Sequence, residues 1–170
     1  MIGASWGVTQ TEIERDYPCD HYAPVNTIEL WRGITVNAPP AVVWRRLRQL
    51  QLAPYSYDWL DNLGHRSPRQ LRTLPDHKPG ERFSCVAGRF KVGRVLGVLP
   101  GEHLTVRIMG ATMSYVLTPE DSSTRLLLKI LLDRAHRYAI PLAIGDLPMA
   151  RRQLKNLKRL AEADHINSAR

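Results

Sequence analysis

Beyond Glu81 the chain is a succession of short extended segments, and that succession limits the fold more than any other feature. "ERFSC", "GRFKVGRVLGVL", "EHLTVRIM", "ATMSYVLT" and "STRLLLKILLD" are set apart only by "VAG", "PG", Gly110 and "PEDS". Links this short join antiparallel neighbours, because a parallel crossover needs about a dozen residues or more. In "HLTVRIM", Leu104, Val106 and Ile108 share one face while Thr105 and Arg107 share the other. In "RLLLKILLD", Leu126, Leu128, Ile130 and Leu132 face one way, and Arg125, Lys129 and Asp133 the other. The expected sheet therefore has one dry face and one wet face.

The dry face needs a cover, and the chain ends with one. In "GDLPMARRQLKNLKRLAEAD", Leu147, Ala150, Leu154, Leu157 and Ala161 form an apolar stripe at helical spacing. Arg151, Arg152, Lys155, Lys158 and Arg159 take the opposite half of the wheel. Asp146 suits an N-cap and Pro148 a first turn, so a helix is expected from about Asp146 to Asp164. Upstream, "TIELWRGITVN" has the β-branched content of a strand. "APPAVVWRRLRQL" opens on Pro40 and repeats apolar residues at Val43, Leu47 and Leu50, the pattern of a helix. "RSPRQLRTLPDHKPGE" is a polar loop with three prolines.

At 170 residues this is one domain's worth of chain, with 44% hydrophobic and 24% charged residues. No apolar run approaches the ~20 residues of a membrane span, and no secretory signal is evident at the start. Cys19 and Cys85 make neither a disulfide framework nor a zinc site, so a cytoplasmic protein with reduced thiols is expected. The net charge of +8 is uneven: residues 1–30 hold Glu12, Glu14, Asp16, Asp20 and Glu29 against Arg15. The excess elsewhere could attract nucleic acid or anionic lipid, serve solubility, or find its partner in the acidic leader. No basic cluster carries interleaved aromatics, so nucleic acid is not an expected partner, and any membrane contact is expected to be weak and peripheral.

Two patterns test for chemistry. The six histidines are scattered without metal-ligand spacing, and neither a nucleophile elbow nor a phosphate-binding glycine loop is present. No cofactor or metal is expected. Period-two counting places Arg94 with Phe90, Val92, Leu96 and Val98, and Arg32 with Leu30, Ile34 and Val36, on otherwise apolar faces. A β-bulge, or snorkelling near a strand end, would take either out of the interior, and this is the preferred reading for Arg32. An inward Arg94 would hold a ligand carboxylate or enolate. In "APYSYDWLDNLG", a short helix opened by Pro54 would bury Trp59 as a core plug. Tyr55 and Tyr57 would stand at an entrance, and Asp61 could pair with Arg66.

Several segments also resemble a known superfamily. "ITVNAPPAVVWRRLRQL" is similar to the opening strand and helix of START-like proteins, also called SRPBCC or polyketide cyclase/dehydrase proteins. "PGEHLTVRI", "YVLTPEDSSTRL" and the terminal helix follow in that family's order. "WGVTQTEIERDYP", "YSYDWLDNLG" and "GDLPMARRQLKNLKRLAE" look like one bacterial branch of it. The resemblance implies an α+β helix-grip fold, with a curved antiparallel sheet wrapped around a long C-terminal helix and two short helices after the first strand. The expected organisation is an acidic leader over residues 1–27 packed on the domain, a single START-like domain over 28–165, and a flexible tail over 166–170. It also implies an internal cavity for a hydrophobic or amphipathic small molecule, lipid or polyketide-like. The implied role is that of a carrier, or else of a cyclase, aromatase or dehydratase using acid/base groups in the same cavity. The candidate lining is Tyr55, Tyr57, Trp59, Phe90, Arg94, Leu104, Val106, Ile108, Met113, Tyr115, Leu117, Leu126, Leu128 and Ile130, with Leu154 and Leu157 from the helix.

Overall fold

The computed structural model describes residues 4–134 and 139–168, with side chains from 148 onward in the second segment. Leu147, one of the expected stripe residues, has its side chain outside the described residues, as does Asp146. The extended segments form strands β1 (Ser5–Trp6), β2 (Thr27–Val36), β3 (Ser84–Val86), β4 (Phe90–Val92), β5 (Arg94–Leu99), β6 (His103–Ile108), β7 (Ala111–Glu120) and β8 (Ser123–Asp133). The helices are α1 (Gln10–Glu14), α2 (Pro40–Arg48), α3 (Asp58–Asp61) and α4 (Ala139–Ser168). A six-stranded sheet runs in the order β1-β2-β8-β7-β6-β5, and β3 pairs with β4 as a separate hairpin. Every pairing is antiparallel except β1 with β2. A curved sheet closing on a long C-terminal helix is the helix-grip architecture, and this chain has it.

One inner face and α4 make the main core. Leu104, Val106, Leu126, Leu128 and Ile130 from the sheet meet Ala150, Leu154, Leu157 and Ala161 from α4, all buried. Each fully buried leucine is worth ~1.5–3 kcal/mol relative to exposure. The helix begins at Ala139, upstream of the expected Asp146, and runs through Pro148. Packing therefore tolerates an interior proline that costs one backbone hydrogen bond. Residues 166–168, expected as a tail, are still helical, and Ser168 Oγ donates to the Asp164 carbonyl at 2.8 Å.

The outer face is not wet. Tyr17 and Cys19, from a 3₁₀ turn at Pro18–Tyr22, pack with Val116, Leu127 and Leu131 in a second buried cluster. Leu127 and Leu131 share this face with Arg125 and Lys129, and the leader covers them. The cations are answered by acids: Arg125 Nε meets Glu12 Oε1 of the leader at 2.7 Å, and Lys129 Nζ meets Asp20 of the leader at 2.7 Å and Glu29 of β2 at 3.0 Å. A capping box at Thr9 and Glu12 holds α1 in place. The leader crosses β2 where both chains are glycine. A Cβ on Gly33 would lie 2.8 Å from the Gly7 carbonyl oxygen, so neither residue has room for a side chain.

Arg32 lies inward opposite Leu128, in a β2–β8 register that runs unbroken from Thr27↔Asp133 to Val36↔Thr124. The expected bulge or snorkelling to water is absent. Arg32 is fully buried, because residues 4–6 cover the strand edge that would have been water, and its Nη1 donates to the Ala4 and Trp31 carbonyls at 2.8 Å. Arg94 is the opposite case. Gly93, at φ +67°, ends β4, and a register shift follows between Val95 and Gly97, so alternation does not carry through. Arg94 is exposed and donates to the Gly80 carbonyl at 3.2 Å, and Phe90 is 48% exposed under the Arg89 guanidinium.

Helix α2 straps the proline loop down through side chains. Arg46 Nη1 donates to the Arg69 carbonyl, Gln49 Nε2 to that of Arg72, and Arg48 Nη1 to that of Leu74, at 2.7–2.9 Å. Arg46 is also paired in two-pronged fashion with Asp164, at 2.5 and 2.6 Å, which ties α2 to the C-terminal half of α4. Arg46 is 3% exposed, so removing its partner strands a buried charge. Asp164→Leu should cost about 3 kcal/mol or more in urea unfolding, and Arg46→Met combined with Asp164→Leu should recover much of the loss.

Candidate functional site

Between the inner face and the N-terminal part of α4 the side chains fail to meet, leaving a cavity of about 480 Å³. Such a volume falls in the range of small-molecule sites. The floor is Met113 and Tyr115 of β7 with Leu128, Ile130 and Leu132 of β8, and α4 contributes Met149, Ala150 and Gln153. Ile108, Met109 and Ala111 close one side, and Phe83, Ser84, Val86 and Val92 of the β3–β4 hairpin region another. Leu50, Pro54, Ser56, Leu60 and Asp61 complete it. Leu60 and Met109 are 51% and 78% exposed, which marks where the cavity meets solvent. A second depression, about 490 Å³, runs over Ile34, Lys158, Arg159 and Glu162. It is an open surface groove in which Lys158 and Glu162 already pair at 3.0 Å.

Of the residues expected at a cavity, Ile108, Met113, Tyr115, Leu128 and Ile130 are brought together around it. Leu104, Val106, Leu117, Leu126, Leu154 and Leu157 are buried in the solid core beyond it. Phe90 and Arg94 stand outside, for the reasons given above. The aromatic stretch departs most. Tyr55 takes a left-handed φ of +57°, so no helix runs from Pro54, and α3 starts only at Asp58 with Tyr57 as its N-cap. That change of phase turns Trp59 out to 72% exposure, packed edge-on against Tyr57 at 6.4 Å; it is no core plug. It turns Tyr55 in. Tyr55 is buried, donates its hydroxyl to the Pro68 carbonyl at 2.7 Å, and has its phenol pushed up to about 12 by burial, so it is not an entrance residue. Tyr57 is half-buried, with the Arg152 guanidinium 5.8 Å above its ring.

Helix α4 holds this unusual segment. Gln153 Nε2 donates to the Pro54 carbonyl at 2.6 Å, Asn156 Nδ2 to that of Tyr55 at 2.9 Å, and Ser56 Oγ to that of Met149 at 2.9 Å. Tyr115 donates its hydroxyl to Gln153 Oε1 at 2.7 Å, linking the floor to the same helix. Asp61, expected to pair with Arg66, makes no such ion pair among the described residues and instead lines the cavity. Burial raises its carboxyl from an ordinary 3.8 to about 6, with the charge of the nearby Asp58 adding to the shift. The reversed helix phase hid this residue, and only its position next to the aromatics hinted at it.

No protein-family model and no curated protein matches the chain. Solved structures do. Protein NE0264 from Nitrosomonas europaea is similar with a TM-score of 0.58 at 18% identity, over 80% of this chain and 95% of that one. Protein Ms6760 from Mycobacterium smegmatis gives 0.53 at 17%, over 84% and 96%. An AHSA1-like protein from Aeromonas hydrophila gives 0.49 at 19%, over 79% and 94%. At these identities the first two likenesses establish the shared fold. No helix among the described residues is long and apolar enough to cross a membrane.

The raised Asp61 carboxyl has a sign that can be checked. A folded pKa above the unfolded value means the folded chain holds more protons between about 4 and 6, so this group's contribution to stability falls as pH rises through that window. His77, which burial pushes down to about 4, acts with the opposite sign there. The difference between Asp61→Asn and the parent cancels His77. Urea unfolding across pH should show the variant gaining on the parent from pH 4 to 6 and the gap then staying constant.

Proposed function

We propose that the protein binds a hydrophobic or amphipathic small molecule, lipid or polyketide-like, in the cavity between the sheet and α4, as a carrier within the START-like superfamily. The observation that carries this reading is the cavity itself: about 480 Å³ left open beside a core in which Leu154, Leu157 and Ala161 of the same helix are fully buried. Among the described residues its lining is apolar except for Ser56, Asp61, Ser84, Tyr115 and Gln153. Leaving such a space costs packing energy, which a bound apolar ligand returns.

The polar inventory favours a carrier over a cyclase or dehydratase. Acid/base catalysis calls for groups that converge on a reacting atom. The titratable side chains among the described lining residues are Asp61 and Tyr115, and the Tyr115 hydroxyl is engaged by Gln153. Native mass spectrometry of protein purified without denaturation is the direct search for the ligand. A filled-cavity variant supplies the control. Ala111→Phe places a ring into the space from β7, and should lower affinity for the neutral dye Nile red by about tenfold or more while leaving the thermal midpoint unchanged or raised. Undiminished dye binding would place the ligand elsewhere.

A further inference from the structure

The polar groups in the cavity wall are not equivalent. Ser56 Oγ is spent on the Met149 carbonyl, and Tyr115 and Gln153 hold each other. Asp58, one turn before Asp61, is satisfied by the Ser67 amide and hydroxyl at 3.1 and 2.6 Å. Two atoms remain: among the described residues, Asp61 Oδ1 and Ser84 Oγ are enclosed and have no hydrogen-bond partner. Ser84 is 5% exposed. An enclosed polar atom left unpaired costs about 1–3 kcal/mol, so two in one wall call for an explanation.

They belong to one wall because Asn62 joins their elements. Its Oδ1 accepts from the Ala87 amide at 2.7 Å and its Nδ2 donates to the His65 carbonyl at 2.6 Å, bolting the end of α3 to the β3–β4 turn. Asp61 precedes Asn62, and Ser84 opens β3 on the same hairpin. No lysine, arginine or histidine is among the described residues lining the cavity, so none of these neutralises a carboxylate. The pair offers an acceptor and a hydroxyl, and it repels an anion.

Resting on the ligand-binding role proposed above, we infer that Asp61 and Ser84 form the subsite for the ligand's polar end, which is a hydrogen-bond donor, hydroxyl or amine, and not a carboxylate. A hydroxyl can donate to Asp61 and accept from Ser84. An ammonium also supplies the missing counter-charge. The long-range field makes the distinction sharp, because a chain with net charge +8 draws anions towards it. A preference for the amine over the acid must therefore come from the local wall.

The test displaces Nile red at pH 7 with decanol, decylamine and decanoate, which share one chain and differ in head group. In the parent protein the alcohol and the amine should each compete about tenfold or more better than the acid, the range a charge-assisted hydrogen bond supplies. Asp61→Asn should shrink the amine-over-acid ratio by about tenfold, and Ser84→Ala should weaken the alcohol several-fold. Comparing the three heads on the parent needs no variant to fold. Equal competition by decanoate, or a ratio unchanged in Asp61→Asn, overturns the subsite while leaving the cavity's ligand-binding role standing. If the dye and all three chains fail to bind, the carrier reading falls and the subsite falls with it.

Discussion

Everything about the interior follows from how α4 is held. Its C-terminal half is clamped: Asp164 takes the Arg46 guanidinium, Lys158 donates to the Thr35 carbonyl at 2.6 Å, and Glu162 accepts from the Asn37 amide at 2.8 Å. There Leu154, Leu157 and Ala161 press onto the sheet with no gap. Towards Met149 the contacts are with the loop at Pro54–Ser56 instead, and the sheet curves away beneath. The cavity is the wedge left between helix and sheet on that side.

The acidic leader solves a different problem. β8 carries Arg125 and Lys129 on its outer face beside Leu127 and Leu131, an arrangement that would leave apolar surface in water. Residues 4–22 cover it, with Tyr17 and Cys19 filling the apolar part and Glu12 and Asp20 meeting the cations. Burial raises the Cys19 thiol to about 11, which keeps it protonated and unreactive. Much of the sheet's charge is thus internal to the fold. Two cations of α4 sit over aromatic rings: Arg151 over Trp6 at 4.8 Å and Arg152 over Tyr57 at 5.8 Å.

The fold was legible where a periodicity ran uninterrupted. β8 runs for eleven residues without a bulge, so Leu126, Leu128, Ile130 and Leu132 sorted correctly onto the inner face, and the terminal stripe matched that side. Legibility failed at conformations imposed from far along the chain. Tyr55 adopts positive φ with its carbonyl bound by Asn156, about a hundred residues later, and no local signal announces it. The error propagated, exposing Trp59 and hiding Asp61. Gly93 did the same for Arg94 by breaking one apparent strand into two. The outer face was misjudged because alternation says which side a residue takes, and says nothing of what later covers that side.

Methionine reports on the wedge with little ambiguity. Of the four methionines, Met109, Met113 and Met149 line the cavity, from its solvent edge, its floor and its helical roof. With the ε-methyl groups carbon-13 labelled, titration with decanol followed by NMR reads each wall separately. A ligand held between the sheet and α4 should shift these three methyl signals together, saturating with one common affinity. Saturable binding that moves none of the three, or Met109 alone, would contradict a cavity between sheet and helix as the place where this protein takes its ligand.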